Sequence, residues 1–166
     1  MTPFFIDRAA AGRQLAELLQ AYAGRPDVVV LGLPRGGVPV AREVARALRV
    51  PMDLLIAADG LEQIRLQALY RGTRPSVPLE GRTVIVVDDG IATGNSMRNA
   101  LKTLRGARPD WIVVAVPVAP PEAQFRIGTA ADEFACLESS AEFDLVGQCY
   151  RDFTVPTDDE VRRALD

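Results

Sequence analysis

Two adjacent carboxylates, Asp88 and Asp89, stand between an apolar run and a stretch of small residues. The segment reads VIVVDDGIATGNSM over 84–97, so a buried strand would deliver both acids at its carboxyl end. Small side chains and hydroxyls at a helix entrance are what a phosphate-binding loop requires. The residues that offer them here are Ala92, Thr93, Gly94, Asn95 and Ser96. The loop lacks the Gly-Lys-Ser/Thr ending of a Walker-type loop.

The acid pair decides what kind of ligand such a loop would take. Carboxylates beside a phosphate repel it unless another group lies between them. A ribose is such a group, because its hydroxyls donate hydrogen bonds to the acids while its 5′-phosphate lies in the loop. The same carboxylates could also hold a hydrated Mg²⁺. The alternative is a plain helix cap at Thr93 or Ser96, with both acids solvated.

A second candidate anion site follows an earlier apolar run, in the segment LGLPRGGVPVAREVARAL over 31–48. Adjacent glycines, Gly36 and Gly37, let a backbone approach a ligand closely. The helix that follows would offer unpaired N–H groups, and Arg35 would add a forked cation suited to phosphate. Taken alone, the segment is more typical of a tight strand-to-helix turn with an exposed arginine.

The composition excludes several classes of function. The chain has no histidine, so no imidazole can serve in a catalytic triad, in a zinc site or as a general base. A net charge of −3 argues against broad binding to DNA, which needs a basic face. Cys136 and Cys149 lack the spacing of a redox pair and are expected to be small buried side chains in a reducing compartment.

Membrane association is not expected from the pattern of apolar residues. No apolar run approaches the roughly 20 residues that span a bilayer. Residues 1–14 show no charged-then-apolar signal pattern. These features, with the sparse cysteines, predict a cytoplasmic protein.

Alternating apolar runs and helical periods predict the frame that positions both candidate sites. Short runs rich in Val and Ile are typical of strands buried on both faces of a parallel sheet. They occur at 28–31, 52–57, 84–87 and 112–116, with a fifth strand near 133–137. Apolar stripes at helical spacing predict helices from Leu15 to Tyr22, Ala41 to Leu48 and Met97 to Leu104.

The remaining segments complete the predicted architecture. A weaker helix is expected at 61–71, a stiff exit from the fourth strand at 117–121, and a short helix capped by Thr157. The order of elements predicts one three-layer α/β/α domain over 1–166, with a mainly parallel, Rossmann-like sheet of five strands. Ligands of such sheets bind beyond the carboxyl ends of the strands, where both candidate sites would lie.

The segment VIVVDDGIATGNSM resembles the phosphoribosyl-pyrophosphate (PRPP) signature of type I phosphoribosyltransferases. The likeness extends over most of the chain, since FIDRAAAGRQLAELL, VVVLGLPRGGVPVAREVARAL, YRGTRP, VVAVPVAPPEA and the closing YRDF and DDEV look like a bacterial family of phosphoribosyltransferases. The resemblance implies the type I phosphoribosyltransferase fold. It also implies Mg²⁺-dependent transfer of a phosphoribosyl group to an unidentified nitrogenous base, with release of pyrophosphate.

The resemblance also implies a role for each matching residue. Asp88 and Asp89 would bind the ribose 2′- and 3′-hydroxyls, with Mg²⁺ held nearby through the ribose or water. The loop 92–96 would hold the 5′-phosphate, and Arg35 and Gly36 would hold the pyrophosphate. The family often forms dimers, so a homodimer is implied as well.

The chain departs from the family pattern after the second strand. There the family continues into a basic Arg-Lys-Leu-Gly segment and a few dozen residues of loop and hairpin, whereas here Asp59 and Gly60 lead directly into LEQIRLQALYRG. The missing stretch is where a mobile catalytic loop is expected. Three functions therefore remain open. The first is a transferase whose site is covered by another loop or by a partner subunit. The alternatives are a non-catalytic module that binds PRPP or a nucleotide 5′-phosphate, and a scaffold with a vestigial site.

The acceptor base is only weakly indicated. Ala92 stands where some 6-oxopurine phosphoribosyltransferases carry an acid, which weighs against a hypoxanthine- or guanine-type reaction. Phe143, Leu145 and Tyr150 are candidates to flank a base. Core packing is the more common role for such residues.

Overall fold

A computed structural model describes the whole chain, residues 1–166. Its five strands are β1 (Val28–Gly32), β2 (Met52–Leu54), β3 (Thr83–Val87), β4 (Trp111–Ala119) and β5 (Glu133–Ser139). They form one sheet in the order β2-β1-β3-β4-β5, and every neighbouring pair is parallel. The prediction of an α/β fold around a five-stranded parallel sheet is confirmed.

Six α-helices connect and flank these strands. They are α1 (Arg8–Leu18), α2 (Gly37–Leu48), α3 (Gly60–Tyr70), α4 (Asn95–Arg105), α5 (Ala123–Ile127) and α6 (Asp158–Arg163). Short 3₁₀ turns cover Gln20–Tyr22, Gly128–Ala130 and Val146–Cys149. No helix is both long enough and apolar enough to cross a bilayer.

Helices cover both faces of the sheet, which explains why the strands read as continuous apolar runs. Because side chains alternate along a strand, Val28 and Val30 pack against α1 and α2, whereas Val29 and Leu31 pack against α4 and α5. The central strands β1 and β3 are fully buried. Helices α3 and α6 pack together near β2, around Tyr70.

Two strands differ in length from the prediction. Strand β2 ends at Leu54 because the chain then leaves the sheet toward α3, although Leu55 and Ile56 stay buried. Strand β4 continues through Pro117 to Ala119, so the predicted exit at 117–121 is partly strand. The proline is tolerated because β3 has ended beside Ala115 and only β5 pairs with the last residues of β4.

The first helix and one cysteine also differ from the prediction. Helix α1 begins at Arg8, earlier than the apolar stripe suggested, because the Asp7 side chain accepts the N–H of Ala10 and caps it. Leu18, which lies within the apolar stripe predicted from Leu15 to Tyr22, is 51% exposed. Cys149 is buried as expected, but Cys136 is only half-buried because it lies on the edge strand β5.

Candidate active site

The sheet places the two predicted anion sites side by side. Strands β1 and β3 are neighbours, and their last residues, Gly32 and Val87, pair with each other. The N–H of Leu33 continues this contact by donating to the Val87 carbonyl at 3.1 Å. The segments that follow β1 and β3 therefore leave the sheet at the same edge and at the same level.

The two glycines after β1 lie directly against the two acids after β3. A β-carbon on Gly37 would stand 2.8 Å from the Val87 carbonyl oxygen and 3.0 Å from Oδ1 of Asp88. A β-carbon on Gly36 would overlap Oδ2 of Asp89. Only glycine permits this approach, so the two glycines join the loop after β1 to the acid pair.

The loop at the N-terminus of α4 has unused hydrogen-bond donors. Of the six backbone N–H groups from Ala92 to Met97, only that of Asn95 donates a hydrogen bond, to Thr93 Oγ1 at 3.3 Å. Gly94 precedes the helix with a φ of +89°, a left-handed conformation that favours glycine. No side chain serves as the N-cap of α4. The free N–H groups and the positive end of the helix can bind an anion.

Asp88 lies beside this loop. Together with the loop and Val146 it lines a concavity of about 190 Å³. Its Oδ1 accepts the N–H of Asp89 at 2.8 Å, and no cation contacts it. Burial and the adjacent charge of Asp89 raise the pKa of the Asp88 carboxyl well above its ordinary value.

Asp89 has a different environment from Asp88. Its Oδ2 accepts a hydrogen bond from Nε of Arg8 at 3.1 Å and lies 3.0 Å from Nη2 of the same guanidinium in an ion pair. Burial raises the pKa of Asp89, and the Arg8 guanidinium opposes that shift. The structure thus brings Asp88 into the concavity beside the loop, but it places Asp89 beneath Gly36 and against Arg8.

Arg8 is a site residue that the sequence analysis missed. It is 6% exposed, and its Nη1 also donates to the Thr154 carbonyl at 2.8 Å. Its guanidinium carbon lies 3.8 Å from the centre of the Phe153 ring. An arginine beside three alanines in the first turn of α1 was the available signal, since a buried charge needs a partner.

The guanidinium of Arg35 does not reach the acid pair. Arg35 is exposed, and its Nη1 lies 3.8 Å from Asp158 at the start of α6. The Tyr70 hydroxyl donates to the same carboxylate at 2.9 Å. The structure therefore brings the predicted residue Gly36 to the acids but leaves the side chain of Arg35 directed toward α6.

The three candidates for flanking a base have different surroundings. Tyr150 is buried against Phe5 and Phe153, and its hydroxyl donates to the Asp89 carbonyl at 2.6 Å, so it packs in the core. Phe143 is half-buried and lines a concavity of about 270 Å³ with Ala92 and Thr93 of the loop. Leu145 is 69% exposed.

A further concavity of about 310 Å³ lies on the other side of Asp88. Its lining is mostly apolar and contains no arginine or lysine: Leu33, Pro34, Leu55, Ile56, Ala57, Leu66, Asp88, Ser96, Asn99 and Ala100. The arginines of the nearby segment are paired elsewhere, Arg65 with Glu62 at 2.7 Å and Arg71 with Asp53. No basic side chain that follows β2 thus faces this concavity.

The residues present fit Mg²⁺ better than a metal held by protein groups alone. The structure contains no group of three or more His, Cys, Asp or Glu side chains that could hold an ion. Mg²⁺ is commonly bound through one or two carboxylates while water and ligand oxygens complete its shell. Asp88 and Asp89 supply two carboxylates at the edge where a ligand would bind.

Comparison with known proteins identifies the family of this chain. A family model described as the phosphoribosyl transferase domain matches residues 6–150. A Mycobacterium tuberculosis protein whose name places it among the phosphoribosyl transferases is 39% identical over 98% of this chain and 46% of its own length. The chain thus spans about half the length of this curated relative.

Solved structures agree on the fold. The crystal structure of TT1426 from Thermus thermophilus is 35% identical, with a TM-score of 0.83, and covers 99% of this chain and 98% of that one. A hypoxanthine-guanine phosphoribosyltransferase of Bacillus anthracis is 17% identical, with a TM-score of 0.59 over 86% of each chain, which shows the fold alone. The fold is that of the type I phosphoribosyltransferases. With a family model that matches residues 6–150, this chain belongs to the phosphoribosyl transferase domain family.

Proposed function

We propose that this chain binds PRPP and transfers its phosphoribosyl group to a nitrogenous base. The 5′-phosphate would lie in the loop 92–96, the ribose hydroxyls on Asp88 and Asp89, and the pyrophosphate against Arg35 and Gly36. The observation that carries the proposal is the row of unpaired N–H groups in the same concavity as Asp88. A phosphate needs those donors, and a neighbouring sugar can use the carboxylate.

The proposed reaction breaks the bond from the anomeric carbon to the pyrophosphate oxygen and forms a bond from that carbon to a nitrogen of the base, with release of pyrophosphate and of the proton that this nitrogen carried. Its transition state has oxocarbenium character, so the residues contribute by positioning the sugar and stabilising charge. Asp88 and Asp89 would hold Mg²⁺ indirectly, and this ion would neutralise charge on the departing pyrophosphate. No histidine is needed for these steps.

A binding module without turnover is the second candidate function. It is favoured by the apolar lining of the concavity beyond Asp88, where no basic side chain after β2 is available to a leaving pyrophosphate. A transferase would need cover for that side, which a second copy of the chain in a homodimer could provide. A vestigial scaffold would bind no ligand at all. We place each of these activities in the cytoplasm, since both cysteines are free.

Two measurements on the full chain separate these functions. Calorimetry with PRPP and Mg²⁺ tests binding, and detection of pyrophosphate across a panel of nitrogenous bases tests transfer. Binding with pyrophosphate release supports the transferase, and binding without release on any base supports the module. Absence of binding would overturn both.

Asp88→Asn is the matched variant for the binding measurement. It keeps the size of the side chain but weakens the acceptor that the ribose hydroxyls require, so the affinity for PRPP should fall by about tenfold or more. Asp110→Asn, on the exposed Asp110 before β4, is the control and should bind PRPP like the wild type. Equal affinity in all three proteins would show that Asp88 does not contact the ligand.

A further inference from the structure

We infer that Arg8 is a positioning residue for sugar recognition: it holds one oxygen of Asp89 so that the other stays available to a ribose hydroxyl. This inference rests on the proposed function, because it assigns a role within the same ribose site. Arg8 belongs to α1, and it lies 81 residues from Asp89 along the chain.

The first observation is how the two oxygens of Asp89 are used. Both contacts from Arg8, through Nε and Nη2, end on Oδ2. Neither contact from Arg8 reaches Oδ1, and no buried polar side-chain atom lacks a partner, so Oδ1 faces either solvent or the neighbouring Asp88 carboxyl. Arg8 therefore holds one oxygen of Asp89 and does not occupy the other.

The second observation is that Arg8 itself cannot turn freely. Nη1 donates to the Thr154 carbonyl at 2.8 Å, and the guanidinium stacks on Phe153 at 3.8 Å. Gly36 covers the pair, since a β-carbon there would lie 3.2 Å from Nη2 of Arg8. A planar group with several donors suits this arrangement, whereas a lysine offers a single nitrogen.

The third observation is that Asp89 is also held from its backbone. The Tyr150 hydroxyl donates to the Asp89 carbonyl at 2.6 Å, and Tyr150 packs on Phe153. The segment 150–154 therefore fixes the main chain of Asp89 through Tyr150 and its side chain through Arg8. These contacts restrain Asp89 before a ligand arrives, which lowers the entropic cost of binding.

A purely structural ion pair is the competing explanation. It would join α1 to the segment 150–154 and have no effect on which sugar binds. Both explanations predict a loss of stability when Arg8 is replaced, because Asp89 would keep a buried charge without its partner. A test must therefore measure recognition of a hydroxyl group and not stability.

The test uses the full chain and calorimetry with ribose 5-phosphate, its 2-deoxy and 3-deoxy analogues, and inorganic phosphate. The wild type should prefer ribose 5-phosphate to at least one deoxy analogue by about tenfold, the usual size of a hydrogen bond to a charged group. Arg8→Met should remove most of that preference. It should leave the affinity for inorganic phosphate in the loop 92–96 unchanged, since the polar contacts of Arg8 are with Asp89 and Thr154 and not with that loop.

Three further variants complete the design. Arg13→Met changes an exposed arginine of the same helix, 3.9 Å from Glu43, and should retain the full preference. Arg8→Lys keeps the charge and should restore part of the preference, so it serves if Arg8→Met does not fold. In the background of Asp89→Asn, Arg8→Met should cause no further loss, because both substitutions act on the same hydrogen bond.

The outcomes distinguish this inference from the proposed function. If the wild type binds phosphate but shows no preference among the three sugars, the ribose site itself is wrong. If the wild type shows the preference and both Arg8→Met and Arg8→Lys keep it in full, Arg8 has no positioning role while the proposed function stands. Additive losses in the Asp89→Asn background would also overturn the inference.

Discussion

Two aspartates near the carboxyl edge of the sheet, Asp53 in β2 and Asp88 after β3, differ in how many partners their carboxylates have. Asp53 is buried and saturated, since it accepts the N–H groups of Leu54 and Val77, each at 2.8 Å, and pairs with Arg71. Asp88 accepts only the N–H of Asp89 and meets no cation. The fold uses the first acid to hold its own chain and leaves the second able to bind a ligand.

The same contrast separates the segments that follow these strands. After β2 the chain turns into α3, and its arginines are occupied by Glu62 and Asp53. After β3 the loop 92–96 leaves every N–H group except that of Asn95 unpaired, beside an acid without a cation. Most of these N–H groups belong to exposed residues, so a ligand anion at this strand end can replace water as their partner.

The largest expected effect tests the structural role of Asp53. Arg71→Met would leave this buried carboxylate without its partner, so the free energy of unfolding should fall by about 3–5 kcal/mol. Urea denaturation measures the change. Arg65→Met removes an exposed pair within α3, the helix that Arg71 follows, and should leave stability nearly unchanged. Equal stabilities of the two variants would contradict the contrast between the aspartates.

The next effect concerns the glycine that lies against Asp88. In Gly37→Ala the new methyl group would press on the Val87 carbonyl and on Asp88, so we expect a loss of about 1–3 kcal/mol in stability. Affinity for PRPP should fall as well, since the acid is displaced. Gly106→Ala is the control, because a β-carbon at Gly106 would lie 3.4 Å from its nearest neighbour, the Thr103 carbonyl oxygen. Calorimetry and denaturation that distinguish neither variant from the wild type would refute the close approach.

A smaller effect should appear in the pH dependence of stability. Because the pKa of Asp88 is raised in the folded protein, the folded state binds more protons than the unfolded state. Its contribution to stability is present below the unfolded pKa of about 3.9 and is lost as the pH rises through the raised folded value. Asp88→Asn removes this loss, so the variant should be more stable than the wild type at neutral pH, by about 1 kcal/mol.

Denaturation at several pH values checks this expectation. The stability difference between Asp88→Asn and the wild type should shrink as the pH falls toward 4, where both side chains are neutral. Asp110→Asn again provides the control, since Asp110 is exposed. A difference that stays constant with pH would mean that burial does not hold a proton on Asp88.

The smallest effect concerns the support of the loop 92–96 from α5. Arg126 donates through Nη1 to the Thr93 carbonyl at 3.3 Å and pairs with Glu122 at 3.1 Å. Arg126→Met should loosen the loop and lower the affinity for inorganic phosphate by roughly threefold, the size of one modest hydrogen bond. Glu122→Gln should have less effect, because Glu122 makes no contact with the loop. An unchanged affinity in Arg126→Met would show that the loop is held by its own backbone.

Local patterns explain which parts of the fold could be predicted. Strands β1 and β3 and helices α2 and α4 were found because both faces of the sheet are covered and the apolar periods are regular. The cap of α6 was found because Thr157 and Glu160 bond each other across only three residues. Strand β4 was predicted too short because the effect of Pro117 depends on whether a neighbouring strand is present, which the segment itself does not encode.

The candidate site likewise contains parts that could be predicted from the sequence and parts that could not. The acid pair, the small-residue loop and the adjacent glycines are each contiguous segments, so their chemistry could be read directly. The partner of Asp89 could not, because Arg8 lies 81 residues away and many arginines compete for the role. The direction of Arg35 toward Asp158 and the burial of Tyr150 also depend on distant contacts.

The sequence by itself therefore determined the parallel sheet, the order of strands and helices along the chain, and the identity of the groups that follow β1 and β3. Hydrophobic period and loop chemistry are local properties, and a few neighbouring residues suffice to specify them. Only the tertiary structure decided that Asp89 is held by Arg8, that Asp88 is left without a cation, and that Asp53 is saturated. The charge state and orientation of a carboxyl group depend on burial and on partners brought together by folding, which sequence spacing does not reveal.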